Sequence, residues 1–213
     1  MQGDYGQARA LYEECLAIFR KLGDGTGAAW SLNHQGDAAR EQGDTLAARS
    51  LYEQGLETFR ELGDQWGIAS SLADLGNLAR GQRDYHAAHS NYRESLKIFQ
   101  QLGHKRGVAR LLEGFACLAA AQSLWDRSLS LAGTAAALRQ SLGAPLKLAE
   151  QVELERSLQP ARQALTNTAG SAAWLEGWGM PLEKAVDEAL RPDSSCPMCQ
   201  QAETGPTPPY SGR

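Results

Sequence analysis

Apolar residues recur along this chain at spacings of three and four, and the whole pattern returns every 40 residues. Leu11, Cys15, Ile18, Phe19 and Leu22 form one stripe, matched by Leu51, Gly55, Phe59 and Leu62. That spacing predicts amphipathic helices of about four to five turns. Each ends at a glycine, since Gly23, Gly63, Gly103 and Gly143 all follow the last leucine and can take the left-handed closing conformation. Asp24 and Asp64 come next as caps for a following helix, and His104 in the third copy predicts a weaker one. Second helices are predicted over 27–41, 67–81 and 107–121. Their small residues Gly36, Ala39, Gly76, Ala79, Ala116 and Ala119 stand where two helices must approach closely.

Three segments, 3–22, 43–62 and 83–102, align without a gap, so that Tyr12, Tyr52 and Tyr92 fall in register, as do Phe19, Phe59 and Phe99. A fixed period in this range marks a solenoid, in which each unit buries its apolar face only against its neighbours. The expected architecture is all-α: a right-handed α-solenoid of antiparallel helical hairpins over 1–145, capping helices over 146–191 and a Pro/Ser/Gly-rich tail over 192–213. Such a chain works by presenting a surface, so a groove is expected before a catalytic pocket.

Both ends depart from the pattern. Residues 125–142 read as a degenerate fourth copy in which Ala132 replaces the tyrosine. The next segment predicts a helix interrupted at Pro160, then short helices, with Trp174, Trp178 and Met180 plugging the apolar end of the stack. At the other end Met1 falls just before the second helix of a hairpin. Either the chain is a fragment of a longer array, or the exposed stripe Leu11, Cys15 and Ile18 pairs with another copy.

Composition narrows the function. The 213 residues carry a net charge of −4 with both signs interspersed, which leaves no basic stripe for nucleic acid. No apolar run is long enough to span a membrane, and the amino terminus lacks an apolar signal core, so cytoplasmic residence is the default. Phosphate-loop, dinucleotide, nucleophile-elbow and HExxH motifs are absent from the sequence. No enzyme, cofactor or metal is therefore expected. Cys196 and Cys199 form a CxxC pair without the second pair that structural zinc needs. His86 and His89 could face one ion but read better as a solvated pair. The tyrosines, tempting as a base-stacking ladder, read as core.

Helix–turn–helix units with Gly36, Gly43, Ala48 and Tyr52, repeated as Gly76, Arg83, Ala88 and Tyr92, resemble the tetratricopeptide repeat. The period is longer than that family's usual one and is similar to arrays at the carboxyl ends of bacterial LuxR- and STAND-type regulators. The stretch 131–146 resembles how those arrays finish. The resemblance implies a non-enzymatic scaffold or sensor module that binds protein or peptide on its concave face. It places there Trp30, Asn33, Asp37 and Arg40, then Ser70, Ala73, Asp74, Asn77 and Arg80, then Arg110, Glu113 and Cys117. Local pairs such as Asp37–Arg40 are expected on that face. Chaperone-binding members clamp a terminal carboxylate at set groove positions, but here Asp37, Asp74 and Gly114 fall at such positions, which argues against that subtype. The alternative is a self-associating module with an empty groove.

Overall fold

A computed structural model of the chain describes residues 5–191. Among the described residues ten helices follow one another: α1 (Tyr5–Leu22), α2 (Gly25–Glu41), α3 (Thr45–Leu62), α4 (Gln65–Gly81), α5 (Tyr85–Gln101), α6 (Lys105–Ala121), α7 (Trp125–Ser141), α8 (Leu148–Ala164), α9 (Asn167–Trp178) and α10 (Leu182–Leu190). No strand occurs among the described residues. Successive helices from α1 to α7 pack neighbour to neighbour, and α2, α4 and α6 also meet one another. The result is an α-solenoid with α2, α4 and α6 on one layer and the odd-numbered helices on the other. None of its described helices is long and apolar enough to cross a membrane. The CxxC pair lies outside the described residues.

Two ring-on-glycine contacts build the stack. Within a hairpin, the tyrosine of the second helix lies on a glycine of the first. A Cβ at Gly36 would stand 2.6 Å from the Tyr52 ring, and one at Gly76 would stand 2.5 Å from Tyr92. Between hairpins, a phenylalanine lies on the glycine that opens the next first helix. Cβ atoms at Gly27, Gly67 and Gly107 would stand 2.5, 2.2 and 2.5 Å from Phe19, Phe59 and Phe99. Tyr52, Tyr92, Phe59 and Phe99 are completely buried, each contributing roughly 1.5–3 kcal/mol through apolar burial. The core reading of those two tyrosines holds, and each directs its hydroxyl to the concave face.

The capping glycines behave as the sequence predicts, with φ of 71, 69, 63 and 57° at Gly23, Gly63, Gly103 and Gly143. His104 is not the weak cap expected. Its Nδ1 accepts from the Gly107 amide at 3.0 Å, matching the Asp64 carboxylate on Gly67.

Beyond α7 the seats disappear. Counting on by 40 places Ala132 at the tyrosine position, Arg139 at the phenylalanine position and Lys147 where Gly107 stood. With neither a ring on α7 nor a seat on α8, α8 does not stack on α7 as the earlier first helices stack on the hairpins before them. Instead α9 packs along α7 and barely touches α8. The α7–α9 crossing is close because both sides are glycine. A Cβ at Gly177 would lie 1.8 Å from the Ser130 carbonyl oxygen and one at Gly133 would lie 2.3 Å from that of Trp174. Thr134 Oγ1 also donates to the Gly177 carbonyl at 2.7 Å.

Displaced from that position, α8 lies on the concave side against α6 and α7, burying Leu158 and Ala161. It runs through Pro160 unbroken, contrary to the expected interruption. Pro160 and Arg156 are both exposed, so the Arg156 carbonyl that loses its donor remains open to water. Trp174 and Met180 do pack on the main core, but Trp178 is exposed and only two of the three plug the end.

The seats make a direct stability test. Gly67→Ala, which drives a methyl into the Phe59 ring, should lower unfolding free energy by about 1–3 kcal/mol in denaturant titration. Gly81→Ala meets nothing within 4 Å and should leave stability unchanged or raise it by up to about 1 kcal/mol. Equal effects at the two positions would contradict the packing described.

Candidate functional site

The concave face holds a cavity of about 420 Å³. Its mouth is aromatic. Trp30 on α2 and Trp66 on α4 lie with ring centroids 4.6 Å apart, and Trp30 rests on Phe59 at 4.9 Å. Trp66 is 44% exposed. His34, one turn along α2 from Trp30, completes the mouth and stacks on Tyr12 at 5.1 Å.

Polar groups line the walls in a repeated arrangement. Tyr52 donates its hydroxyl hydrogen bond to Asp37 at 2.8 Å, and Tyr92 donates to Asn77 at 2.8 Å. Position 117, next in the series, is a cysteine, and with no tyrosine at 132 it is met by Ser157 of α8. Burial raises the Cys117 thiol above its ordinary value. On α4 and α6, Asp74 is bonded to Arg110. Glu113 and Arg139 form a two-pronged pair, with Arg139 Nη2 donating to Oε2 at 2.8 Å. The expected Asp37–Arg40 pair is absent. His34 faces Asp37 at 3.6 Å, while Arg40 bridges Glu41 at 2.8 Å and Glu153 of α8 at 3.6 Å.

One group lining the cavity is left over. The Nε of Arg80 is buried without a hydrogen-bond acceptor, and no carboxylate lies within ion-pair distance of it among the described residues. The rest of its guanidinium is held by the Tyr92 hydroxyl, beside Cys117 and, more distantly, Glu153. A buried donor without an acceptor costs about 1–3 kcal/mol, so it needs an explanation.

Most residues that the sequence placed on the concave face line this cavity: Trp30, Asp37, Arg40, Ser70, Asp74, Asn77, Arg80, Arg110, Glu113 and Cys117. Asn33 and Ala73 do not. Both are buried, and Asn33 donates to Ser71 Oγ at 2.7 Å beside Gly55. They stand one residue away from His34 and Asp74, a step of about 100° that turns them into the helix–helix contact. The sequence reading omitted His34, Trp66, Arg139, Leu146 and the entire α8 wall, formed by Glu150, Glu153, Leu154 and Ser157. His89 is not the solvated partner of His86 that was expected. It is half-buried, edge-on to Phe115 at 5.5 Å.

Electrostatically the walls are nearly balanced. The three acids on α2–α6 face four arginines, and α8 adds two glutamates. Asp74 is pushed up to about 6 by burial, with Arg110 opposing the shift and Asp37 adding to it. His34 is raised by its hydrogen bond to Asp37. Folded Asp74 thus keeps its proton well above the value of 3.8 at which it titrates unfolded. Its contribution to stability is full below pH 4 and disappears as pH rises through 6.

Residues 1–61 match one tetratricopeptide repeat model and 68–102 match a second. Over these two stretches the chain is built of tetratricopeptide repeats. Among solved structures, the crystal structure of BtubC (BKLC) from P. vanneervenii is similar in fold. It shares 21% identity with a TM-score of 0.62, over 99% of this chain and 80% of that one. Comparison with curated proteins finds no match. Repeats of this family generally serve as protein–protein interaction scaffolds and are typically non-catalytic.

Asp74→Asn supplies the test of the groove's electrostatics. The stability difference between the native chain and this variant should shift against the native chain by about 2–3 kcal/mol between pH 4 and pH 7. A difference independent of pH would contradict a raised Asp74.

Proposed function

We propose that this chain is a non-enzymatic scaffold that holds a protein or peptide segment on its concave face. The observation that carries the reading is the cavity itself. Two tryptophans at its mouth offer apolar area, and Arg80 in its wall has an Nε donor that no group among the described residues satisfies. An aromatic entrance with a few convergent polar groups is what a recognition site for a side chain or short segment requires. The regulatory setting implied by the stretch 131–146 is part of this reading, with the solenoid as the sensor arm of a larger system.

A second reading has its own observation. On α1, Leu11 is 62% exposed, Leu22 is 73% exposed, and Ile18 and Cys15 are exposed beside them. The matching stripe of α3 is covered over its first positions, with Leu51 half-buried and Gly55 buried, and exposed only at its end, at Leu62. A contiguous apolar patch of this kind suits pairing with another copy.

One pair of measurements separates them. Peptides selected on the native chain from a random library should lose at least about tenfold in affinity on Trp66→Ala and on Asn77→Ala, with the mass by light scattering constant. Concentration-dependent mass that Ile18→Ser abolishes, together with peptide binding indifferent to both groove variants, would replace the first reading by the second.

A further inference from the structure

The cavity already has an occupant along one side, and its chemistry is informative. Glu150, Glu153, Leu154 and Ser157 of α8 reach the cavity, spaced i, i+3, i+4 and i+7 as one face of a helix. This is the arrangement by which a helix lies in a groove. Two of the four are acids. Glu153 meets Arg40 at 3.6 Å and lies close enough to act on Arg80. Before α8 is counted, the cavity walls carry one more arginine than carboxylates, and α8 reverses that sign.

The hold of α8 is also incomplete. Its fit lacks the ring-on-glycine seat of the earlier joints, and Leu148 and Val152 remain exposed. The Glu153 carboxylate is over half exposed and, although aimed at the arginines, does not come within 4.0 Å of Arg80. An ion pair this exposed is worth little. The Nε of Arg80 therefore still lacks an acceptor, and the internal helix approaches it without supplying one.

We propose that α8 is an internal stand-in for an acidic amphipathic helix of a protein partner, whose glutamates take Arg40 and Arg80 as α8 gives up the groove. This rests on the groove reading above and adds the partner's chemistry and a competitor in cis. The aspartates that argue against a terminal-carboxylate clamp do not oppose it. Asp74 is held by Arg110, and Asp37 lies one turn nearer the aromatic mouth than Arg40.

The test uses the full chain and a fluorescein-labelled peptide with the sequence of residues 146–164, read by anisotropy. The native chain should bind it, and Glu153→Gln in the protein should tighten binding roughly two- to fivefold by removing the internal competitor. Arg80→Gln should weaken binding about tenfold without lowering the thermal midpoint. If that variant is unstable, the peptide carrying Gln at the positions of Glu150 and Glu153 makes the same test without altering the protein, and should also bind about tenfold more weakly. Equal binding of acidic and Gln-substituted peptides would overturn the acidic-partner assignment while leaving a helix-binding groove. No tightening by Glu153→Gln would overturn the role of α8 as competitor. Failure of every peptide on both proteins, with library peptides still bound at Trp66, would overturn this inference alone; failure of those as well would remove the groove reading.

Discussion

An aromatic ring lying on a glycine is the contact on which this structure depends. Tyrosines on Gly36 and Gly76 close hairpins, and phenylalanines on Gly27, Gly67 and Gly107 stack one hairpin on the next. Both need a bare Cα on one helix and a large flat side chain on the other, so neither partner can change alone without a gap or a clash. The glycines carry a helix-propensity cost of up to about 1 kcal/mol each, and burial of the ring offsets it. Because the two seats fall on different parts of each first helix, they fix the relative placement of three consecutive helices. The concave face follows from that placement.

The same rule accounts for the irregular end. At the α7–α8 joint the ring becomes Arg139 and the seat becomes Lys147, and a charged pair of side chains cannot reproduce a buried apolar contact. Arg139 turns instead to Glu113 inside the groove. The helix that would have stacked there is free to lean across the concave face, and α9 takes its place on α7 through a glycine-to-glycine crossing. Loss of a packing motif thus places α8 as a wall of the cavity, and Glu150 and Glu153 on that helix give the wall its acidic character.

Much of this was legible in the sequence. The period, the hairpins and the capping glycines followed from spacing, because local propensity and tertiary packing agree in the first three copies. Ten cavity-lining residues could be placed on the concave face. Asn33 was misplaced because a helix face is only about 100° per residue wide, and no alignment to a repeat resolves a single step reliably. The α8 wall was missed for a different reason. Pro160 reads as a break, and the absence of tyrosine at 132 reads as the end of the array. The signal was present in the count: Asp37, Asn77 and Cys117 lead by 40 to Ser157, which meets Cys117 across the groove. What periodicity does not convey is that a helix in register can be held in a different place once its seat is lost.

Amide hydrogen exchange resolved by helix tests the ring-on-glycine contact as the organiser most directly. Protection should be greatest in α3, α4 and α5, whose rings and glycines are all present, and lowest in α8 among the helices of the concave side, with α8 opening separately from the rest. Protection of α8 equal to that of α6, lost in the same cooperative step, would show that the stack does not depend on these seats.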